Sequence, residues 1–157
     1  MLSKDEASRR CSNRVDTTVG NLFGNAKSYL AAADRIIEGG ELDLILNPAF
    51  YLLIGFTLEL LLKAICLDAG ATQTELRMVI GHDLHMAYRF AMERGRVPRV
   101  MTEFGKLVLA LRDHHKEFVF RYTPDIPELV VPPPAYCVSV IKENLPWIER
   151  SILTPIT

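Results

Sequence analysis

Residues 48–67 read PAFYLLIGFTLELLLKAICL, and the rest of the chain is arranged around them. Asn47 is a good cap, Pro48 suits a first turn, and Asp68-Ala69-Gly70 supplies the stop. The stretch is apolar nearly all round, so other elements must cover it on several sides. Its length would also cross a bilayer. Glu59 and Lys63 oppose that reading, since each costs about 2.5–3.5 kcal/mol at a membrane centre. The expectation is the buried middle helix of a soluble bundle, with no membrane partner.

The flanking segments carry the complementary pattern. Val19, Leu22, Phe23, Ala26, Tyr29, Leu30, Ala33, Ile36 and Ile37 recur at steps of three and four, which is one apolar stripe of a helix. Asp16 or Thr17 is the expected cap, and Gly39-Gly40 the end. Ser3 and Glu6 have capping-box spacing, so the helix can also start earlier. A third helix is predicted over His82–Arg94, with Asp83 in its first turn and Gly95 closing it. A fourth follows Pro98 and reaches about Glu117, with Phe104, Val108, Leu111 and His115 on one face. A last helix covers about Ala135–Leu153, where Pro146 is expected to kink or split it. Between these, FVFRYTPDIPELVVPPP (118–134) contains five prolines and reads as a loop, with a short strand conceivable at Phe118–Tyr122. The predicted fold is all-α, an up-and-down antiparallel bundle of four to five helices in one domain spanning 1–157. The first 14 or so residues form a flexible arm or an extension of helix 1.

Composition agrees. The chain has 157 residues, 49% hydrophobic and 24% charged, with net charge −1. That length suits one domain able to bury roughly 68–70% of its extended-chain surface. The near-neutral charge argues against a nucleic-acid grip through bulk positive charge. Cys11, Cys66 and Cys137 are too few and too scattered for a disulfide framework or a zinc site. The opening MLSKDEASRR is too polar for a signal peptide, so the expected location is cytoplasmic. No phosphate loop, dinucleotide fingerprint or nucleophile elbow appears, and neither a cofactor nor a metal is expected.

Three constellations can carry chemistry. Glu59 and Lys63 lie four apart, about 40° apart around a helix. They form either a structural salt bridge at the core edge or part of a polar binding site between helices. Gly55, one turn earlier, would let another backbone approach. In Gly81-His82-Asp83-Leu84 the polar residues can cap the next helix, or His82 or Asp83 can meet Lys63 or Glu59 in space. Arg112, Asp113, His114 and His115 offer a phosphate-neutralising cation and proton-moving imidazoles. Equally, His115 can be a hydrogen-bonded core residue, and Arg112 and Asp113 solvated. Arg121-Tyr122 can stack a base or pin the loop. Arg94, Arg96 and Arg99 read as a solvated positive turn.

Glu59-Leu-Leu-Leu-Lys63, the later Gly81-His82-Asp83-Leu84 and the Arg121-Tyr122-Thr-Pro124 loop resemble the HEPN superfamily (higher eukaryote and prokaryote nucleotide-binding domains) over roughly residues 15 to 153. The resemblance implies a helical bundle, usually a homodimer, in toxin–antitoxin, defence or RNA-processing systems. Active HEPN ribonucleases resemble one another in an Arg-x4–6-His motif late in the bundle. Here Arg77 and His82 have the spacing but precede the third helix, and Met78 replaces the polar neighbour. Arg112 is well placed, yet His114 and His115 follow at two and three residues. The expectation is a non-catalytic or divergent HEPN-like protein that binds a nucleotide, RNA or protein partner through Glu59, Lys63, His82, Asp83, Arg112, Arg121 and Tyr122. The alternatives are a metal-independent endoribonuclease using Arg112 with His114 or His115, and a structural, antitoxin-type subunit with a cognate protein.

Overall fold

The computed structural model describes residues 16–39, 46–97, 102–116 and 130–153. Among these residues the chain is all helical, with no strand. Five α-helices run in order: α1 (Val19–Glu38), α2 (Leu46–Asp68), α3 (Leu84–Glu93), α4 (Glu103–Lys116) and α5 (Pro134–Leu153). A π-helical turn, Glu75–Ile80, lies between α2 and α3.

Helix α2 touches α1, α3, α4, α5 and the π turn. That is what an apolar helix requires in water, because every face left open would expose Leu, Ile or Phe. Phe50, Ile54, Leu58, Leu61, Leu62, Ile65 and Cys66 are fully or almost fully buried. Residues 47–68 are long and apolar enough to cross a membrane, but 67% of their most apolar stretch is buried inside the fold. The α1 stripe buries Leu22, Phe23, Ala26, Leu30 and Ala33, while Tyr29 stays 40% exposed.

Helix ends depart from the sequence expectations in instructive ways. Thr18, not Asp16 or Thr17, caps α1, its Oγ1 accepting from the Asn21 N–H at 3.1 Å. Thr17 is otherwise engaged: its N–H donates to Gln73 Oε1 at 3.2 Å and its carbonyl accepts from Gln73 Nε2 at 2.8 Å. Helix α2 begins at Leu46, so Asn47 lies inside it rather than capping it, and Pro48 still falls in the first turn where its missing N–H costs nothing. The end of α2 is a Schellman motif. Gly70 has φ +98°, the Ala71 N–H bonds the Cys66 carbonyl at 2.9 Å and the Gly70 N–H bonds Leu67 at 3.1 Å.

Helix α3 starts later than His82, because Asp83 is its N-cap and accepts from Met86 N–H at 3.0 Å. Helix α5 is one unbroken element with Pro146 inside it. Asn144 braces that turn, donating to the Val140 carbonyl and accepting from Trp147 Nε1, both at 2.7 Å. In the arginine turn Arg94 is exposed, as expected, and Arg96 is partly buried. Arg94 lies 3.3 Å over the Phe90 ring centroid. Arg96 ion-pairs with Asp68 and donates to its carbonyl at 3.0 Å. The Ser3/Glu6 capping box, Arg99, the conceivable strand and most of the proline loop, including Arg121 and Tyr122, lie outside the described residues. The loop's last residues are tied to the core by Tyr51, whose hydroxyl donates to the Pro132 carbonyl at 2.6 Å.

Candidate functional site

Glu59 sits in the middle of α2, where an apolar helix surrounds it with core, and only 4% of it is exposed. A carboxylate there must be paired, and three elements supply the partners. Lys63, one turn on, donates from Nζ to Oε1 at 2.7 Å. His82, in the turn ahead of α3, donates from Nδ1 to Oε2 at 3.0 Å. His115, near the end of α4, donates from Nε2 to the same Oε2 at 2.6 Å. Among the described residues no buried side-chain polar atom lacks a partner.

Burial pushes the Glu59 carboxyl upward, but the His115 hydrogen bond, the Lys63 charge and hydrogen bond, and the His82 hydrogen bond outweigh it. The net result is a pKa brought down from 4.5 to about 2. Glu59 is therefore a permanent anion at neutral pH and a fixed acceptor for two imidazoles.

Gly55 makes the arrangement sterically possible. A Cβ there would lie 2.3 Å from His115 Nδ1, so the glycine admits an imidazole side chain, not the second backbone suggested by the sequence. Phe56 closes the other side, edge-to-face with His115 at 5.2 Å between centroids. His115 is 2% exposed. His82 is different: half of its side chain faces solvent, and its ring lies 6.4 Å from that of His115. The centre thus has a buried anion, an inner imidazole, an outer imidazole and an adjoining lysine.

Lys63 also opens onto a cleft of about 470 Å³ lined by Thr17, Leu22, Leu60, Gln73, Leu76 and Arg77. Arg77 stands 3.7 Å from Asp16. A polar recess of about 210 Å³ is lined by Asp83, His85, Arg112, Asp113 and Lys116. Asp83 does not reach Glu59: its Oδ1 caps α3 and its Oδ2 accepts from Lys116 Nζ at 3.0 Å. Burial works to raise the Asp83 pKa, and the Met86 N–H and Lys116 overcome it to hold the carboxyl below its ordinary value.

The third constellation divides. Arg112 pairs with its neighbour Asp113 at 3.3 Å. His114 donates from Nε2 to the Val130 carbonyl at 3.3 Å. His115 points inward to Glu59. The sequence offered His82 as a partner for Glu59 and Lys63, and the fold joins these three; it adds His115, which the sequence had grouped with Arg112 or left as a core residue. The contributions of Arg77 and Lys116 to the two concavities were missed. Arg77 falls on a π turn, whose register a 3.6-residue periodicity does not describe, and Lys116 pairs with a residue 33 positions away.

No family model matches this chain, and neither a curated protein nor a solved structure matches it.

Proposed function

We propose that the chain is a divergent, HEPN-like helical protein that binds a phosphate-bearing ligand, a nucleotide or RNA, at the Glu59 centre and its adjoining cleft. The observation that carries this is the shared carboxylate: Lys63, which lines the cleft, and His82, which faces solvent, are both held by Glu59. A cleft of about 470 Å³ is in the usual range for small-molecule sites. Lys63 and Arg77 give it cationic groups, Gln73 adds an amide, and Leu22, Leu60 and Leu76 give it apolar wall. The Glu59-x-x-x-Lys63 and Gly81-His82-Asp83-Leu84 signatures that resemble HEPN proteins meet in this one network, which supports the same reading. In this proposal the protein works in the cytoplasm as a homodimer.

The test is isothermal titration of the purified chain with AMP, ATP and a short single-stranded RNA. The expected result is binding to at least one of them, weakened about 10- to 100-fold by Lys63→Met, which removes a charge-assisted contact of about 1.5–3 kcal/mol. Absence of binding to all three would leave a scaffold or antitoxin-type subunit as the better reading.

Metal-independent RNA cleavage has a specific observation in its favour as well. A carboxylate that orients an imidazole is the arrangement by which a general acid or base is positioned. The geometry favours His82 for that role, since it is oriented by Glu59 and reaches solvent. Cleavage of RNA in EDTA by the wild type, and none by His82→Ala, would establish it.

A further inference from the structure

We propose that Glu59, His82 and His115 form a binding site for a divalent transition-metal ion of zinc type. The three come from α2, the turn before α3 and the end of α4, separated by 23 and 56 residues in sequence. They nevertheless place one donor atom each within 4.8 Å of one another. Two imidazole nitrogens and one carboxylate oxygen are the ligand set used by catalytic zinc sites and by facial-triad iron sites. With bonds of about 2.0–2.1 Å, tetrahedral donors stand about 3.4 Å apart. The observed Oε2 contacts of 3.0 Å and 2.6 Å reach that spacing by opening about 0.4 Å at His82 and about 0.8 Å at His115 when an ion replaces the two shared protons.

The protons balance without an outside base. Each imidazole now carries N–H on the nitrogen that faces Glu59. To ligate, a neutral ring moves its proton to the opposite nitrogen through solvent exchange and presents a lone pair instead. The surroundings also suit a metal. Lys63 holds Oε1 of the carboxylate, leaving Oε2 to face the two rings. Gly55 and Phe56 fix the His115 ring. Such supporting contacts orient metal ligands. His82 is the half-exposed member, so an ion enters past it and keeps a coordination position open to water or ligand.

The experiment uses full-length chain stripped with EDTA and dialysed, then titrated with zinc chloride alone. The expected result is one zinc per chain, with Kd raised about 100-fold or more in His82→Ala and in His115→Ala, and unchanged in His85→Ala. His82 is the decisive variant because its side chain lies at the surface and its loss leaves the core packed. Cobalt(II) in place of zinc is expected to show visible absorption bands that His82→Ala loses. No zinc uptake, or equal uptake by wild type and His82→Ala, overturns the proposal and leaves the triad as a hydrogen-bonded strut. No nucleotide is present in this titration, so its outcome is separate from that of the phosphate-ligand reading.

Discussion

Glu59 is the residue on which most of the site's electrostatics turns. Its carboxyl is held at about 2 in the fold against an ordinary 4.5. A depressed folded-state value means that the unfolded chain binds the proton first as pH falls. The associated stability is complete above about pH 4.5 and drains away as pH drops toward 2. The difference between the two values corresponds to about 3 kcal/mol. Glu59→Gln, nearly isosteric, should therefore lose about that much at pH 7, and the gap from wild type should narrow between pH 4.5 and 2. Urea unfolding at pH 7, 4 and 2.5 measures it, and a gap that stays constant over that range refutes the electrostatic account. The identities of these residues could be read from the sequence, because a Glu–Lys pair in an apolar run demands partners. The meeting of His82 with Glu59 was among the readings the sequence allowed; the arrival of His115 was not, since it lies 56 residues from Glu59 and nothing local links the two. The meaning of Gly55 was legible only in part: its missing side chain implied a close approach, but not by what.

At the scale of elements, Asp83 does two jobs that can be separated. One oxygen caps α3 and the other takes Lys116 from α4. The lysine is 60% exposed, so that ion pair contributes at most about 1 kcal/mol. The cap contributes about 1 kcal/mol and up to 2. Asp83→Ala is expected to cost about 1–2 kcal/mol and Asp83→Asn much less, because the amide oxygen still caps. Lys116→Ala should cost under about 1 kcal/mol. Thermal melts of the three variants decide it; an equal loss in Asp83→Asn and Asp83→Ala would show that charge, not capping, matters. The main helices were legible because their apolar stripes are long and regular. The π turn Glu75–Ile80 was not, since six residues that bury only Leu76 and Ile80 show no helical period. Its stop is clear in hindsight: Gly81 has φ +53° and its N–H bonds the Leu76 carbonyl at 3.0 Å, a five-residue step. Pro146 does not split α5, because proline removes one backbone donor and a helix packed along α1, α2 and α4 can absorb one lost bond.

Across the whole molecule, α2 is the element that every other described helix needs. That arrangement predicts one cooperative unit, because removing any helix uncovers part of the same apolar rod. Two thiols report on it from different places: Cys66 on α2 and Cys137 on α5 are both 0% exposed, and burial pushes both up to about 12. A thiol reacts as its thiolate, so each is shielded twice, by packing and by protonation. In a disulfide-exchange assay at pH 8, both should react at least about 10³-fold more slowly than in urea, given an opening free energy of 5 kcal/mol or more. If opening is global, the two sites share one rate and one urea dependence, because the same event exposes both. If α5 peels away alone, Cys137 reacts well ahead of Cys66 and its rate depends less on urea. Site-resolved mass spectrometry separates the two cases, and unequal rates would mean that α2 keeps its cover without α5.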